Sequence, residues 1–235
     1  MTHRADARQM LDDRGYAGKL VRGQNPALLM EKAVRDRITE SYYWKEQCFG
    51  LNEATLCDRA VDVTYVGGIA GTAQKPTPFL CLAFKLLQLG PDRRVVEEYL
   101  ANEDFKYLKA LAAFYVRLTY DPPDVYKTLE PLLADYRKLK RRTRTGFSLT
   151  YIDQFVDDLL VKDRVCATSL WKLPGRQQLE DLELLDERIS PLGEEIDEIN
   201  ADDEDVGDAN GRQGGDDSED EGVLDVPTPE IPPDD

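Results

Sequence analysis

Six cations fall within eight residues: Arg137, Lys138, Lys140, Arg141, Arg142 and Arg144. Clusters of this kind are how proteins meet polyanions, because each cation that neutralises a phosphate releases a counterion. The stripe Val125, Leu129, Leu132, Leu133, Tyr136 and Leu139 has helical spacing, so the run is expected at the end of a helix. Two or three cations there would complement the helix dipole. Six exceed that need, so two readings stay open: a solvated helix end, or a contact with phosphate or an acidic segment. The cluster Tyr42-Tyr43-Trp44 is similarly double. It suits core packing, and Tyr42 and Trp44 equally suit anchors for a partner protein.

Catalytic chemistry is hard to assemble from the rest. The chain has one histidine, His3, so histidine-based acid–base or nucleophilic catalysis is nearly excluded. Asp157-Asp158 and Glu97-Glu98 are adjacent carboxylates, which point apart on a helix. Gly67-Gly68-Ile69-Ala70-Gly71 could suggest a phosphate loop, but no Lys-Ser/Thr follows at the required spacing, and a plain glycine turn is the competing reading. Cys48, Cys57, Cys81 and Cys166 form no C-x-x-C pair, which argues against zinc and for reduced core residues. No metal, cofactor or small-molecule substrate is expected.

The elements that would position these groups read as helices. Asn25-Pro26 and Thr77-Pro78 each combine a cap with proline at the first helical position. From Asn25 the helical apolar content runs to a stop at Gly50, and Asn52 caps a helix carrying Leu56, Ala60 and Val63. Phe79 to Leu89 is apolar on every face, the mark of a central core helix. Asp92 can cap the next helix, and Phe105, Leu108, Leu111, Ala112, Tyr115 and Leu118 line one face of another. Pro131 inside the Val125–Leu139 stripe predicts a kink or two short helices. Ile152, Phe155, Val156, Leu159 and Leu160 form a further helical face, with Thr150 and Asp153 resembling a capping box. A last helix is expected from about Gln177 to Ile189. Val61–Tyr65 and Phe147–Tyr151 alternate like short strands. The fold class is therefore all-α, with at most a short β-hairpin.

Charge divides the chain. The net charge is -16, yet residues 194–235 hold 18 acids and one base, leaving 28 acids and 29 bases before them. The acidity belongs to a tail too polar to offset its ordering entropy. A mobile arm over 1–24, one helical domain over 25–190 and an acidic disordered tail over 191–235 are expected. No signal peptide or membrane segment is legible, which points to a soluble intracellular chain.

Several strings resemble, in order, the pre-mRNA-splicing factor 38 family. They include Glu40-Ser41-Tyr42-Tyr43-Trp44-Lys45-Glu46-Gln47-Cys48-Phe49-Gly50, Tyr65-Val66-Gly67-Gly68 and Lys75-Pro76-Thr77-Pro78-Phe79-Leu80-Cys81-Leu82. Asn102-Glu103-Asp104-Phe105-Lys106-Tyr107, Tyr115-Val116-Arg117-Leu118-Thr119, Asp135-Tyr136-Arg137-Lys138 and Asp153-Gln154-Phe155-Val156-Asp157-Asp158-Leu159-Leu160 continue the match. The resemblance covers roughly residues 24–190 and implies an all-helical, non-enzymatic subunit of the spliceosome in the nucleus. It implies a scaffold that joins with the tri-snRNP and is required for activation of the pre-catalytic spliceosome. Its implied partners are a microfibrillar-associated-protein-like helical partner and a small zinc-finger splicing protein. Animal members carry an Arg/Ser-rich extension that this sequence does not contain, so no role of such an extension is transferred. The rival reading is a direct RNA-binding protein using residues 137–144. Aromatics interleaved with the cations on one exposed face would favour it.

Overall fold

The computed structural model describes residues 18–188. The chain divides into two units, Met1–Asp186 and Glu187–Asp235, and only Glu187 and Arg188 of the second are described. The arm expected over 1–24 lies outside the described residues as far as residue 17, and the acidic tail lies wholly outside them. Within 18–24, Val21 and Gln24 exchange backbone hydrogen bonds, and the Arg22 guanidinium lies 3.8 Å from the Trp171 ring centroid.

Among the described residues nine α-helices carry the fold: α1 (Lys32–Glu40), α2 (Tyr42–Gln47), α3 (Glu53–Val61), α4 (Pro78–Leu89), α5 (Arg93–Ala101), α6 (Lys106–Thr119), α7 (Pro122–Leu129), α8 (Ile152–Val161) and α9 (Arg176–Asp181). The mainly helical class holds. The β structure, expected as one hairpin at most, consists of three antiparallel pairs: β1 (Ile69–Ala70) with β2 (Lys75–Pro76), β3 (Lys138–Arg142) with β4 (Phe147–Tyr151), and β5 (Arg164–Val165) with β6 (Thr168–Ser169).

The caps read from sequence largely form. Asn25 accepts from Ala27 N at 2.9 Å, Asn52 exchanges bonds with Thr55, and Thr77 Oγ1 accepts from Leu80 N at 3.2 Å. Gly90 closes α4 in the left-handed region at φ 59°, where a Cβ would be strained. Asp92 occupies the N-cap position of α5 without a side-chain bond. The core is built on α4 and α6. Every residue from Phe79 to Leu87 and from Leu108 to Leu118 is buried, so both helices are enclosed on all sides. Phe79 meets Phe114 of α6 at 6.0 Å and Phe155 of α8 edge-on at 6.2 Å between ring centroids. Arg117 is 2% exposed inside this core. Its Nε donates to the Leu159 carbonyl and its Nη2 to that of Trp171, both at 2.7 Å, so it satisfies a carbonyl of the last turn of α8.

Several local expectations are corrected. The helical run expected from Asn25 to Gly50 is three pieces, a 3-10 turn (Pro26–Leu29), α1 and α2. Ser41 breaks it with an extended backbone, and its Oγ accepts from Trp44 N to start α2. Val61–Tyr65 is not a strand: α3 reaches Val61, Val63 N bonds back to Ala60, and the next residue, Val66, makes a single isolated bridge to Arg141. The Thr150–Asp153 capping box is absent because Thr150 is the penultimate residue of β4 and Tyr151 takes the N-cap position. The last helix is shorter than expected, ending at Asp181, and Ile189 lies outside the described residues.

Candidate functional site

The largest correction concerns the basic run. Helix α7 stops at Leu129 and a 3-10 turn spans Glu130–Ala134, because Pro131 lacks an N–H and its ring clashes with the preceding turn. The chain then straightens, and Lys138–Arg142 forms β3, not a helix end. Its partner β4 is the alternating segment Phe147–Tyr151 read from sequence as a strand. Thr143 and Gly146 close the turn through Thr143 N to Gly146 O at 2.9 Å and Gly146 N to Thr143 Oγ1 at 3.1 Å.

Strand geometry sorts the cations by parity, since successive side chains point to opposite faces. The inward face holds Leu139, fully buried, opposite buried Thr150. It also holds Arg141, whose guanidinium reaches Asp158 at 2.6 Å. Asp158, 5% exposed, is held from its other side by Lys162 at 2.6 Å. Burial disfavours the Asp158 carboxylate, but the hydrogen bonds from Lys162 and Arg141 outweigh it and keep the carboxyl below its ordinary range. Arg137, just before the strand, is clamped by Asp135 at 2.6–3.1 Å and also donates to the Glu103 carbonyl. That clamp, with Lys109 3.6 Å away, lowers the Asp135 carboxyl too. Arg141 therefore anchors the hairpin to α8, and Arg137 ties the chain before it to the loop between α5 and α6.

The outward face is different. Lys138, Lys140 and Arg142 stand opposite Tyr151, Leu149 and Phe147 respectively. Phe147 is 48% and Leu149 60% exposed. Lys140 Nζ sits 4.1 Å and the Arg142 guanidinium carbon 4.5 Å from the Phe147 ring centroid, and Tyr65 meets the same ring edge-on at 5.4 Å. Among the described residues Lys138, Lys140, Arg142 and Arg144 make no ion pair with a carboxylate. A cleft of about 530 Å³ opens beside Phe147 and Arg142, walled by Tyr65, Gly71, Lys75 and Pro76.

Tyr42 and Trp44 separate as well. Tyr42 is 74% exposed, whereas Trp44 is 9% exposed and packs on Phe84 with ring centroids 5.1 Å apart. Tyr42 alone of the pair faces solvent. The glycine turn has a structural reason. A Cβ on Gly68 would lie 2.3 Å from the Cys166 carbonyl carbon, and the Gly67 and Gly68 carbonyls accept from Thr77 Oγ1 at 2.6 Å and Thr77 N at 2.9 Å. The cysteines are all free; burial pushes the Cys81 thiol up to about 12. Among the described residues no three His, Cys, Asp or Glu side chains converge as a metal site would require. Sequence reasoning missed Phe147 and Leu149 as partners of the cations. The signal was present: an alternating segment preceded by a short loop containing Gly146.

Residues 19–183 match the model of the PRP38 family. Pre-mRNA-splicing factor 38A of Danio rerio is 50% identical over 185 residues, covering 78% of this chain and 59% of that protein. Pre-mRNA-splicing factor 38 of Schizosaccharomyces pombe is 56% identical over 161 residues, 68% of this chain and 76% of that protein. The chain thus spans about three fifths of the length of the vertebrate relatives it matches. A chain in the crystal structure of the Snu23-Prp38-MFAP1(217-258) complex of Chaetomium thermophilum is 58% identical, with a TM-score of 0.74 over 80% of this chain and 100% of that one. With a family match across most of its length and identities near one half, this chain belongs to the PRP38 family, whose relatives are pre-mRNA-splicing factors.

Proposed function

We propose that the chain is a non-catalytic scaffold of the spliceosome, acting in the nucleus by binding other splicing proteins. It joins with the tri-snRNP and is required for activation of the pre-catalytic spliceosome. Its direct partners are an MFAP1-like helical partner and a Snu23-like protein, in line with the helical and zinc-finger partners that the family resemblance implies. One observation carries this reading: the 58%-identical structural neighbour is matched along its whole length and was crystallised with two such proteins. Exposed apolar side chains such as Tyr42 (74%) and Phe49 (71%) support a contact surface outside the core.

The experiment is depletion and add-back. Splicing extract depleted of the endogenous protein should stall before activation, and the full chain should restore splicing. Calorimetry with an MFAP1-type helical peptide should give a saturable one-to-one isotherm. Restored splicing without any binding to either partner would reject the scaffold mechanism, and failure to restore splicing despite tight binding would reject the role in activation.

A further inference from the structure

We infer that the outward face of the β3–β4 hairpin is a binding platform for single-stranded RNA. This goes beyond the protein-scaffold reading and does not depend on it. Three features of that face converge. The first is the spacing of charge. Lys138, Lys140 and Arg142 lie at alternate positions of one strand, so successive cations are roughly 6.7 Å apart along a straight line. An extended nucleotide strand can meet such a row phosphate by phosphate. The second is availability. These three, with Arg144 in the turn, have no carboxylate partner among the described residues, and neither strand contributes an acid to the face. Arg137 and Arg141, by contrast, are already neutralised by Asp135 and Asp158. The third is an aromatic surface among the cations. Phe147 is half exposed, held edge-on by Tyr65, with Lys140 and Arg142 resting against its ring. A base stacked on Phe147 would send the Lys140 ammonium from the ring to the adjoining phosphate. Leu149 extends the apolar strip, and the cleft bounded by Tyr65 and Lys75 leaves room for a neighbouring base.

The geometry disfavours the other polyanions and peptides. Duplex RNA presents a phosphate surface without accessible base faces, so it would leave Phe147 unused. A docked helix needs an apolar groove along its length, whereas this face has only Phe147 and Leu149 as exposed large apolar residues within the two strands. Stacking with interleaved cations is the arrangement that non-sequence-specific single-strand binders use.

The test is fluorescence anisotropy with the full chain and a labelled twelve-nucleotide oligouridylate, repeated at several salt concentrations. Controls are a duplex of equal length and an Asp/Glu-rich peptide. Phe147→Ala should weaken oligouridylate binding roughly five- to a hundredfold with little change in salt slope, since stacking rather than charge is lost. Phe147→Tyr, which keeps a ring, should restore most of the affinity. Lys140→Glu with Arg142→Glu should reduce the salt slope by about 1.4, two phosphate contacts' worth for a single strand. Circular dichroism melting of each variant establishes that the helical body is intact. The proposal fails if the folded full chain does not bind oligouridylate. It fails equally if Phe147→Ala binds like the parent, or if the duplex or the acidic peptide binds as tightly as the single strand.

Discussion

In α4, nine consecutive residues from Phe79 to Leu87 are buried, whereas in β3 burial alternates, with Leu139 sealed and Lys138 and Lys140 in solvent. The helix is surrounded, so each of its positions contributes packing. The strand lies at the surface, so parity decides whether a side chain holds the fold or meets the surroundings. The basic run shows what this does to charge. Arg137 and Arg141 act as structural ties to Asp135 and Asp158, and Lys138, Lys140 and Arg142, on the other face, make no ion pair among the described residues. A run of like charge in sequence is thus two populations in space.

The contrast can be broken most severely in α4. Phe84→Ala removes a fully buried ring packed on Trp44 and should cost about 3–5 kcal/mol in denaturant unfolding. A loss near 1 kcal/mol would mean that the core relaxes around the cavity and that α4 is not its centre.

Where the hairpin meets the helical body, the expected effects are intermediate. Asp158→Asn weakens the hydrogen bonds from Arg141 and Lys162 and should cost roughly 1.5–3 kcal/mol at neutral pH, the range for bonds to charged groups. The sign with pH follows from the lowered carboxyl. Ionised Asp158 stabilises the fold above its ordinary 3.8, and that stability is lost as pH falls through the lower native value. The variant should therefore show a shallower loss of thermal midpoint below about pH 4, where Asp135 continues to contribute to both proteins. Parallel acid melts with equal slopes would remove Asp158 from the account. Gly68→Ala forces a Cβ against the Cys166 backbone and should cost about 1–3 kcal/mol, as overpacking does. An unchanged midpoint would show that the two segments move apart freely.

The smallest effect belongs to the outward face. Lys138→Glu should change stability by about 0.5 kcal/mol or less, since its side chain is exposed and makes no ion pair among the described residues, and Lys140→Glu, which also loses the contact with the Phe147 ring, by about 0.5–1 kcal/mol. A loss comparable with that of Asp158→Asn would erase the distinction between the two faces.

How far the sequence reaches follows the same contrast. A helix is made of contacts three and four residues apart, so uniform apolar content in Phe79–Leu89 and the caps at Asn25, Asn52 and Thr77 were legible without any knowledge of their neighbours. The family strings likewise lie in order along the chain and needed no coordinates. Trp44 and Tyr42 show the limit: two residues apart on one short helix, one is packed on Phe84 and the other faces solvent, and only the position of α4 decides which.

The basic run shows the limit more sharply. Lys-Leu-Lys-Arg-Arg has weak strand propensity, and the stripe before it has helical spacing, so local rules extend a helix through it. What overrides them is non-local. β4 supplies the ladder, Val66 adds a single bridge through bonds to Lys140 O and from Arg142 N, and Asp158 of α8 holds Arg141. The sequence by itself determined the helical class, the buried helix and the family. Tertiary structure decided which cations are ties and which make no ion pair among the described residues, because strand pairing is made with residues distant along the chain, and shifting it by one residue would exchange the two faces.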